Sequence, residues 1–130
     1  MGVDMRALLD TSVVIATDVG PLDGELAISC VTLAELHFGV LVATNLEDRA
    51  ERLRRLLLLQ GRFDALPLDE AVAASYGQIA AAVASAGRKP RARSMDLLIA
   101  ATAHAHSATL YTRNINDFAG LEGLIEVVEA

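Results

Sequence analysis

The chain alternates short apolar runs with longer helical patterns, and this alternation constrains its fold more than any other feature. Four runs have the branched or large apolar side chains of buried strands: "RALLD", "ELAISC", "ATLYT" and "IEVVE". A further run, "DALPL", predicts an edge strand, because Pro67 has no N–H for a central ladder. Helical patterns occupy residues 32–43, 46–60, 69–86 and 94–106. The order β-α-β-α-α-β-α-α-β-β predicts an α/β fold with parallel strands and helices on both faces of the sheet.

Two of the helical patterns indicate where the core lies. Residues 69–86 place Val72, Tyr76, Ile79 and Val83 on one face. Residues 94–106 are apolar almost all round, so we expect this helix to lie at the centre of the fold.

The composition indicates one compact domain. A chain of 130 residues, 53% of them hydrophobic, can bury a substantial core. We assign residues 1–130 to one domain and expect residues 1–4 to be a disordered extension. No apolar run approaches the roughly 18 residues of a membrane span, and no basic segment leads into a hydrophobic signal region. We therefore expect a cytoplasmic protein without a membrane partner. Cys30 is expected to be a buried apolar side chain rather than a nucleophile.

The charge distribution permits a polyanionic partner although the formal net charge is −6. Most of the basic residues fall in two clusters, which are Arg49, Arg52, Arg54 and Arg55, and then Arg88, Lys89, Arg91 and Arg93. We interpret the first cluster as the solvated face of a helix, paired with the acids at positions 47, 48 and 51. The second has no acidic neighbour before Asp96 and is the better candidate for contacting a polyanion.

Four acidic residues are predicted to meet at one edge of the sheet. In parallel α/β folds the ligand site lies beyond the carboxyl ends of the strands, where the following helices begin. One acid ends the first strand, one opens the helix after the second, one opens the apolar helix and one follows the fourth strand. They are Asp10, Glu35, Asp96 and Asp117.

Each of these acids also has a purely structural explanation. Asp10 suits the N-cap of "TSVVIA", and Thr32 with Glu35 matches a capping box. Asp96 complements a helix dipole, and Asp117 suits a turn. Together these explanations are weaker, since each like-charged pair about 4 Å apart costs on the order of 4 kcal/mol at an effective dielectric of about 20. Convergence of four carboxylates therefore predicts a bound cation.

Oxygen ligands favour Mg²⁺ or Mn²⁺ over zinc, for which His37, His104 and His106 lack suitable spacing. We interpret the three histidines as surface or packing residues. A Mg²⁺ ion held by carboxylates usually keeps waters and a phosphate oxygen in its shell. The predicted chemistry is therefore phosphoryl transfer with an activated water as the nucleophile.

Four stretches carry a resemblance to a known family: "LLDTSVVIA", "VTLAELHFGV", "SMDLLIAATAHAH" and "LYTRNINDFAGL". With these motifs in this order, the chain resembles a PIN-domain ribonuclease of the VapC type, the toxin of a bacterial toxin–antitoxin pair, over nearly its whole length. The resemblance implies a PIN-like fold, with a five-stranded, mainly parallel sheet between helices. It also implies endonucleolytic cleavage of RNA that depends on Mg²⁺ or Mn²⁺ and leaves 5′-phosphate and 3′-hydroxyl ends.

The resemblance assigns roles to residues of these motifs. It implies that the four acids bind the metal, with Ser12 and Thr112 as hydroxyl partners. Asn114 stands where relatives carry Asn or Asp, which leaves open whether Asn114 or Asp117 is the fourth ligand and whether one metal acts or two. Four basic residues are candidates for contacting RNA, namely Arg88, Arg91, Arg93 and Arg113. Arg113 is equally suited to an ion pair with a surface acid.

The resemblance further implies a dimer and a VapB-type antitoxin, whose C-terminal segment occupies the active-site groove and delivers an Arg toward the carboxylates. The stretch "LHFGVLVA" and the leucines at 56–59 are candidates for lining that groove, with core packing as the alternative. Transfer RNA and ribosomal RNA are both open as substrates. Recognition of a structured RNA by shape is favoured, because only 4% of the residues are aromatic.

Two other functions stay open at this point. A haloacid-dehalogenase-like phosphotransferase would use Asp10 as a covalent nucleophile. That family has a second Asp at the position where this chain has Ser12. It also needs a downstream Lys near the site, and the only lysine of this chain is Lys89. A catalytically inactive PIN-like module that binds nucleic acid is the second alternative. The presence of all four acids argues against it.

Overall fold

The computed structural model describes residues 5–130, so the predicted extension at residues 1–4 lies outside the described residues. The strands are β1 (Arg6–Leu9), β2 (Glu25–Ser29), β3 (Ala65–Leu66), β4 (Thr109–Thr112) and β5 (Val127–Glu129). They form one sheet in the order β3-β2-β1-β4-β5, and every pairing is parallel. The predicted α/β fold class is confirmed.

The α-helices of the described residues are α1 (Thr11–Val14), α2 (Cys30–Leu41), α3 (Leu46–Arg62), α4 (Glu70–Ser85) and α5 (Ser94–Ala105). Short 3-10 helices at Pro90–Arg93 and Ile115–Phe118 precede α5 and follow β4. The predicted order of strands and helices is confirmed. Between residues 5 and 130, no helix combines the length and the apolar character that crossing a membrane requires.

The central strand β1 explains why helices cover both faces of the sheet. Leu8 packs into the core formed with α4 and α5, whereas Ala7 and Leu9 pack on the opposite face with Val13 of α1. Successive strand residues point to opposite faces, so a strand buried on both faces must be apolar throughout. Helix α5 lies at the centre of the fold as predicted, with six buried residues, Leu97, Ile99, Ala100, Ala101, Thr102 and Ala103.

Helix α2 begins earlier than the sequence pattern predicts, because Ser29 caps it. The Ser29 hydroxyl accepts a hydrogen bond from the Val31 N–H at 2.9 Å. The predicted capping box of Thr32 and Glu35 is therefore wrong, and Thr32 is buried inside the helix. Cys30 is the first residue of α2 and is half-buried rather than buried.

Strand β3 lies at the edge of the sheet, as Pro67 predicted, but it is shorter than the run "DALPL". Because all strands run in the same direction, the segments that follow β1, β2 and β4 emerge at one edge of the sheet. We call this the carboxyl edge. It carries the candidate site.

Candidate functional site

Asp10 follows β1 at the carboxyl edge and is only 4% exposed. Its Oδ2 atom accepts hydrogen bonds from the Ser12 hydroxyl at 2.7 Å and from the Thr112 hydroxyl at 2.8 Å. The backbone of Asp10 occupies the N-cap of α1, but its side chain makes no capping hydrogen bond. The proposal that this carboxylate caps a helix is therefore wrong. Two hydroxyls instead stabilise it in a buried position, where an unpaired charge would be costly.

The same two hydroxyls also order the segment after β4. Ser12 Oγ accepts from the backbone N–H of Arg113 at 3.0 Å, and Thr112 Oγ1 accepts from the backbone N–H of Asn114 at 3.0 Å. Thr112 is fully buried. The hydroxyl network therefore joins β1, α1 and β4, which are distant in sequence, around one carboxylate.

Glu35 lies in the second turn of α2 rather than at its start. Its Oε1 atom accepts a hydrogen bond from the Thr11 hydroxyl at 2.6 Å, and Thr11 Oγ1 also lies 2.9 Å from Thr32 Oγ1. Sequence reasoning missed Thr11. Its position between Asp10 and Ser12, in a segment predicted to face the site, was the available signal.

Asp96 is half-buried in the first turn of α5, and its environment raises the pKa of its carboxyl to about 6. Burial is the largest cause, followed by the negative charges of Asp10, Asp117 and Glu35, while Arg93 acts in the opposite direction. The other three predicted acids are therefore close enough to Asp96 for their charges to act on it. We call the four acids the acid cluster.

Asp117 lies in the 3-10 helix after β4, and its Oδ1 atom accepts a hydrogen bond from Arg93 Nη1 at 3.1 Å. Arg93 also donates to the Asp117 carbonyl oxygen at 3.2 Å. Asn114 is exposed, and its side chain does not cap that 3-10 helix. Asp117 is half-buried, and its charge is one of those that raise the pKa of Asp96.

The described residues contain no group of three or more His, Cys, Asp or Glu side chains arranged to hold a metal ion. Two members of the acid cluster face other partners, because Glu35 accepts from Thr11 and Asp117 pairs with Arg93. The donor set itself consists of oxygens and suits a hard divalent cation. The chain therefore fits such an ion in its chemistry, whereas Glu35 and Asp117 hold other partners in this arrangement.

Arg113 forms an ion pair with Asp18, with N–O distances of 2.7 and 3.1 Å. This pair lowers the pKa of the Asp18 carboxyl. The ion-pair alternative for Arg113 is thus the one observed. Among the other candidates for contacting RNA, Arg88 and Arg91 are exposed, and Arg93 is half-buried beside Asp117.

The arginines of α3 are only partly the solvated, acid-paired face that the sequence suggested. Arg54 pairs with Glu51 on the exposed side. Arg52 instead donates to the Gly39 carbonyl oxygen at 2.7 Å, and Arg55 donates to the Ile15 carbonyl oxygen at 3.3 Å. The physical reason is that α3 packs against α2, so Arg52 reaches the Gly39 carbonyl in the last turn of α2, while Arg55 reaches the carbonyl of Ile15, the C-cap of α1. The spacing of three residues between positions 52 and 55 was the signal for a shared face.

The apolar stretches proposed to line a partner groove divide into core and surface. Leu56 is 2% exposed and belongs to the core. Four other apolar side chains of α2 and α3 are largely exposed, and they are Phe38, Leu41, Leu57 and Leu58. An apolar face of this kind on two adjacent helices is typical of an interaction surface.

Comparison with known proteins agrees with the fold. The PIN domain family model matches residues 7–123. Ribonuclease VapC5 of Mycobacterium tuberculosis is 40% identical over 126 residues, covering 92% of this chain and 90% of its own length. Ribonuclease VapC4 of the same organism is 39% identical over 129 residues, covering 95% of each chain.

A solved structure is similar over almost the whole chain. It is the crystal structure of VapBC-5 from Mycobacterium tuberculosis, a member of the VapBC family of toxin-antitoxin systems. The similarity has a TM-score of 0.81 at 36% sequence identity and covers 95% of this chain and 96% of that chain.

Proposed function

The chain belongs to the PIN domain family and resembles its VapC members, and from that premise we propose that it is a metal-dependent endoribonuclease, the toxin of a toxin–antitoxin pair. The observation that carries the proposal is the half-buried Asp96 carboxyl at the carboxyl edge, whose pKa is raised first by burial and then by the charges of Asp10, Asp117 and Glu35. Repulsion between these carboxylates destabilises the folded protein. A bound divalent cation would offset the repulsion through its attraction to each carboxylate.

The proposed ligands are the four members of the acid cluster, with Ser12 and Thr112 supporting Asp10. When bound, a Mg²⁺ or Mn²⁺ ion supplies an activated water and neutralises charge on the phosphate. The two hydroxyls keep the Asp10 carboxylate in one orientation. Supporting hydrogen bonds of this kind orient metal ligands. Thr11 does the same for Glu35. Asp117 is proposed as the fourth ligand in preference to Asn114, because its carboxylate accepts a hydrogen bond from Arg93, three residues before Asp96, whereas Asn114 is exposed.

Arg93 has a second proposed role beside the RNA contact expected from the sequence. Its pairing with Asp117 places a positive charge beside the acid cluster. In RNA binding the same guanidinium is suited to a phosphate next to the cut. The exposed Arg88, Lys89 and Arg91 lie just before it in the chain and are proposed to attract RNA at longer range.

The proposed partner is a VapB-type antitoxin. The solved relative of this fold is a member of the VapBC family of toxin-antitoxin systems. In this chain the exposed apolar side chains of α2 and α3, represented by Phe38 and Leu41, offer a surface that such a partner would cover. RNA cleavage by a toxin of this type takes place in the cytoplasm, and we propose that compartment for the protein.

The decisive experiment is cleavage of total cellular RNA by the purified protein in Mg²⁺ or Mn²⁺, with an EDTA control and with sequencing of the RNA ends. We expect discrete cuts that require metal and that leave 5′-phosphate ends. Asp10→Asn and Asp96→Asn should each lower the rate by at least about 100-fold. Asp64→Asn is the matched control, because Asp64 is an exposed acid at the opposite edge of the sheet.

Cleavage that persists in EDTA, or that is equal in the Asp10→Asn variant, would contradict the proposal. Binding of RNA without cleavage, and without any affinity for divalent metal, would favour an inactive binding module. The phosphotransferase alternative has less support, because Ser12 and Thr112 both engage Asp10 Oδ2 and Lys89 is exposed. No aspartyl-phosphate should form on Asp10.

A further inference from the structure

A pocket adjoins the acid cluster on the side of α2 and α3. Its volume is about 440 Å³, and Glu35 is one of its lining residues. The pocket is also lined by Thr11, Ile15, Leu36, Gly39, Arg52 and Arg55. We call it the arginine pocket. Neither the metal chemistry nor the proposed support of the acids uses its two guanidinium groups.

We propose that the arginine pocket is a phosphate-binding subsite for the RNA strand, in which Arg52 and Arg55 bind a backbone phosphate next to the scissile one. This inference rests on the proposed ribonuclease function, because it needs RNA at the acid cluster. It goes beyond that function by assigning a strand path and a ligand chemistry to a surface outside the cluster.

The two guanidinium groups of the arginine pocket keep hydrogen-bond donors and positive charge for a ligand. Within residues 5–130, the ion pairs are Arg54–Glu51, Arg93–Asp117 and Arg113–Asp18, so neither Arg52 nor Arg55 is neutralised by a carboxylate. Each donates to a backbone carbonyl oxygen, of Gly39 and Ile15 respectively. An arginine has five N–H donors, so each keeps further donors for a ligand.

The guanidinium groups of Arg52 and Arg55 are already positioned before a ligand binds. The carbonyl contacts hold both guanidinium groups against the wall of the pocket, which lowers the conformational entropy lost when a ligand binds. Two arginines at a spacing of three residues on one helix face can share one phosphate group, whose oxygens accept bidentate hydrogen bonds. A single-strand phosphate is a better match to two adjacent positive charges than a neutral side chain would be.

The arginine pocket lies at one end of the acid cluster along the carboxyl edge of the sheet. Glu35 follows β2 and Asp117 follows β4, on opposite sides of the central strand β1 that carries Asp10. Arg93 lies beside Asp117, and the arginine pocket lies beside Glu35. Positive charge therefore flanks the acid cluster at both ends. An RNA strand with its scissile phosphate at the cluster would place neighbouring phosphates near each flank.

The test measures binding of a labelled oligouridylate as a function of salt concentration, with Ca²⁺ in place of Mg²⁺ to suppress cleavage. Phosphate contacts are independent of base sequence, and each contact to a single strand contributes about 0.7 to the slope of log affinity against log salt. We expect Arg52→Ala and Arg55→Ala each to weaken binding by about three- to tenfold and to lower the slope by about 0.7.

Two further variants control for folding and for general charge. Arg54→Ala removes an arginine of the same helix that is paired on the exposed side, and we expect it to bind like the unmodified protein. Arg52→Gln keeps an amide donor for the Gly39 carbonyl but removes the charge. It should retain the melting temperature and show the same loss of slope as Arg52→Ala.

Unchanged slopes in both pocket variants would overturn the subsite, and cleavage of cellular RNA by the same variants would then show whether the ribonuclease proposal still stands. The subsite is also overturned if the pocket variants bind oligouridylate normally but lose affinity for the antitoxin, since the pocket would then dock protein. Reduced slopes in a protein that cuts no RNA would support the subsite while contradicting the nuclease.

Discussion

The centre and the rim of the acid cluster are built on different physical terms. At the centre, Asp10 is buried on a strand end and its carboxylate accepts hydrogen bonds from two hydroxyls. At the rim, Glu35, Asp96 and Asp117 are carried by helices and are only half-buried. The charge at the centre is stabilised by the protein, whereas Asp96 at the rim is opposed by its neighbours.

The carboxylates at the centre and at the rim therefore differ in how firmly the protein holds them. A buried acceptor with fixed donors keeps one orientation, because any rotation would leave polar groups unpaired. The rim acids are half-buried, so a change of partner costs them less. The end of strand β1 therefore fixes the position of Asp10, whereas the acids carried by helices are less constrained.

The largest effect is expected from weakening the centre. Thr112→Val removes one donor from Asp10 and leaves the Asn114 N–H without its acceptor, so we expect the free energy of unfolding to fall by about 1–3 kcal/mol. RNA cleavage should fall about 10- to 100-fold. Urea unfolding and single-turnover cleavage measure the two effects. Thr109→Val is the matched control, since Thr109 is buried at the other end of β4, and its cleavage rate should stay unchanged.

A smaller effect is expected from the equivalent change at the rim. Thr11→Val removes the hydroxyl that donates to Glu35, but water can replace it at a half-exposed carboxylate. Cleavage should fall less than about tenfold, within the lower part of the range for supporting residues. A loss as large as that of Thr112→Val, measured under the same conditions, would remove the distinction between centre and rim.

The rim should also make the metal-free protein less stable as the pH rises. With the Asp96 pKa near 6 in the folded state and the ordinary value of 3.8 unfolded, the folded state binds more protons between these values. The contribution of Asp96 to the free energy of unfolding therefore decreases from pH 4 to pH 7. Asp96→Asn should flatten this decrease and add about 1 kcal/mol at pH 8, less than the full shift implies because the site is solvent-screened. Equal slopes for the two proteins in EDTA would contradict this.

The smallest effect is expected from Arg93. Arg93→Gln removes a charge that lowers the Asp96 pKa, so that pKa should rise further above its ordinary value. Carbon-13 NMR titration of the Asp96 carboxyl measures the change. The free energy of unfolding should change by no more than about 0.5 kcal/mol, because the ion pair with Asp117 is partly exposed. Arg91→Gln, in the same 3-10 helix, should leave the Asp96 pKa unchanged.

Several boundaries and pairings were wrong from the sequence for a common reason. The sequence pattern placed the cap of α2 at Thr32, but Ser29 caps the helix and Thr32 lies in the interior. The arginines of α3 were expected to pair along their own helix, but Arg52 and Arg55 reach carbonyls of other elements. Local rules describe an isolated helix, and here tertiary packing brought carbonyl acceptors of other elements within reach, which local spacing does not reveal.

The sequence alone determined the order of the elements, the parallel sheet and the edge at which the four acids emerge. These follow from hydrophobic periodicity and from the rule that ligands bind beyond the carboxyl ends of parallel strands. Only the tertiary structure decided that Asp10 is held by Ser12 and Thr112, that Asp117 is paired with Arg93, and that two arginines of α3 line a pocket beside Glu35. Hydrogen bonds and ion pairs depend on distances of a few tenths of an ångström between distant parts of the chain, and periodicity along the sequence carries no such distances.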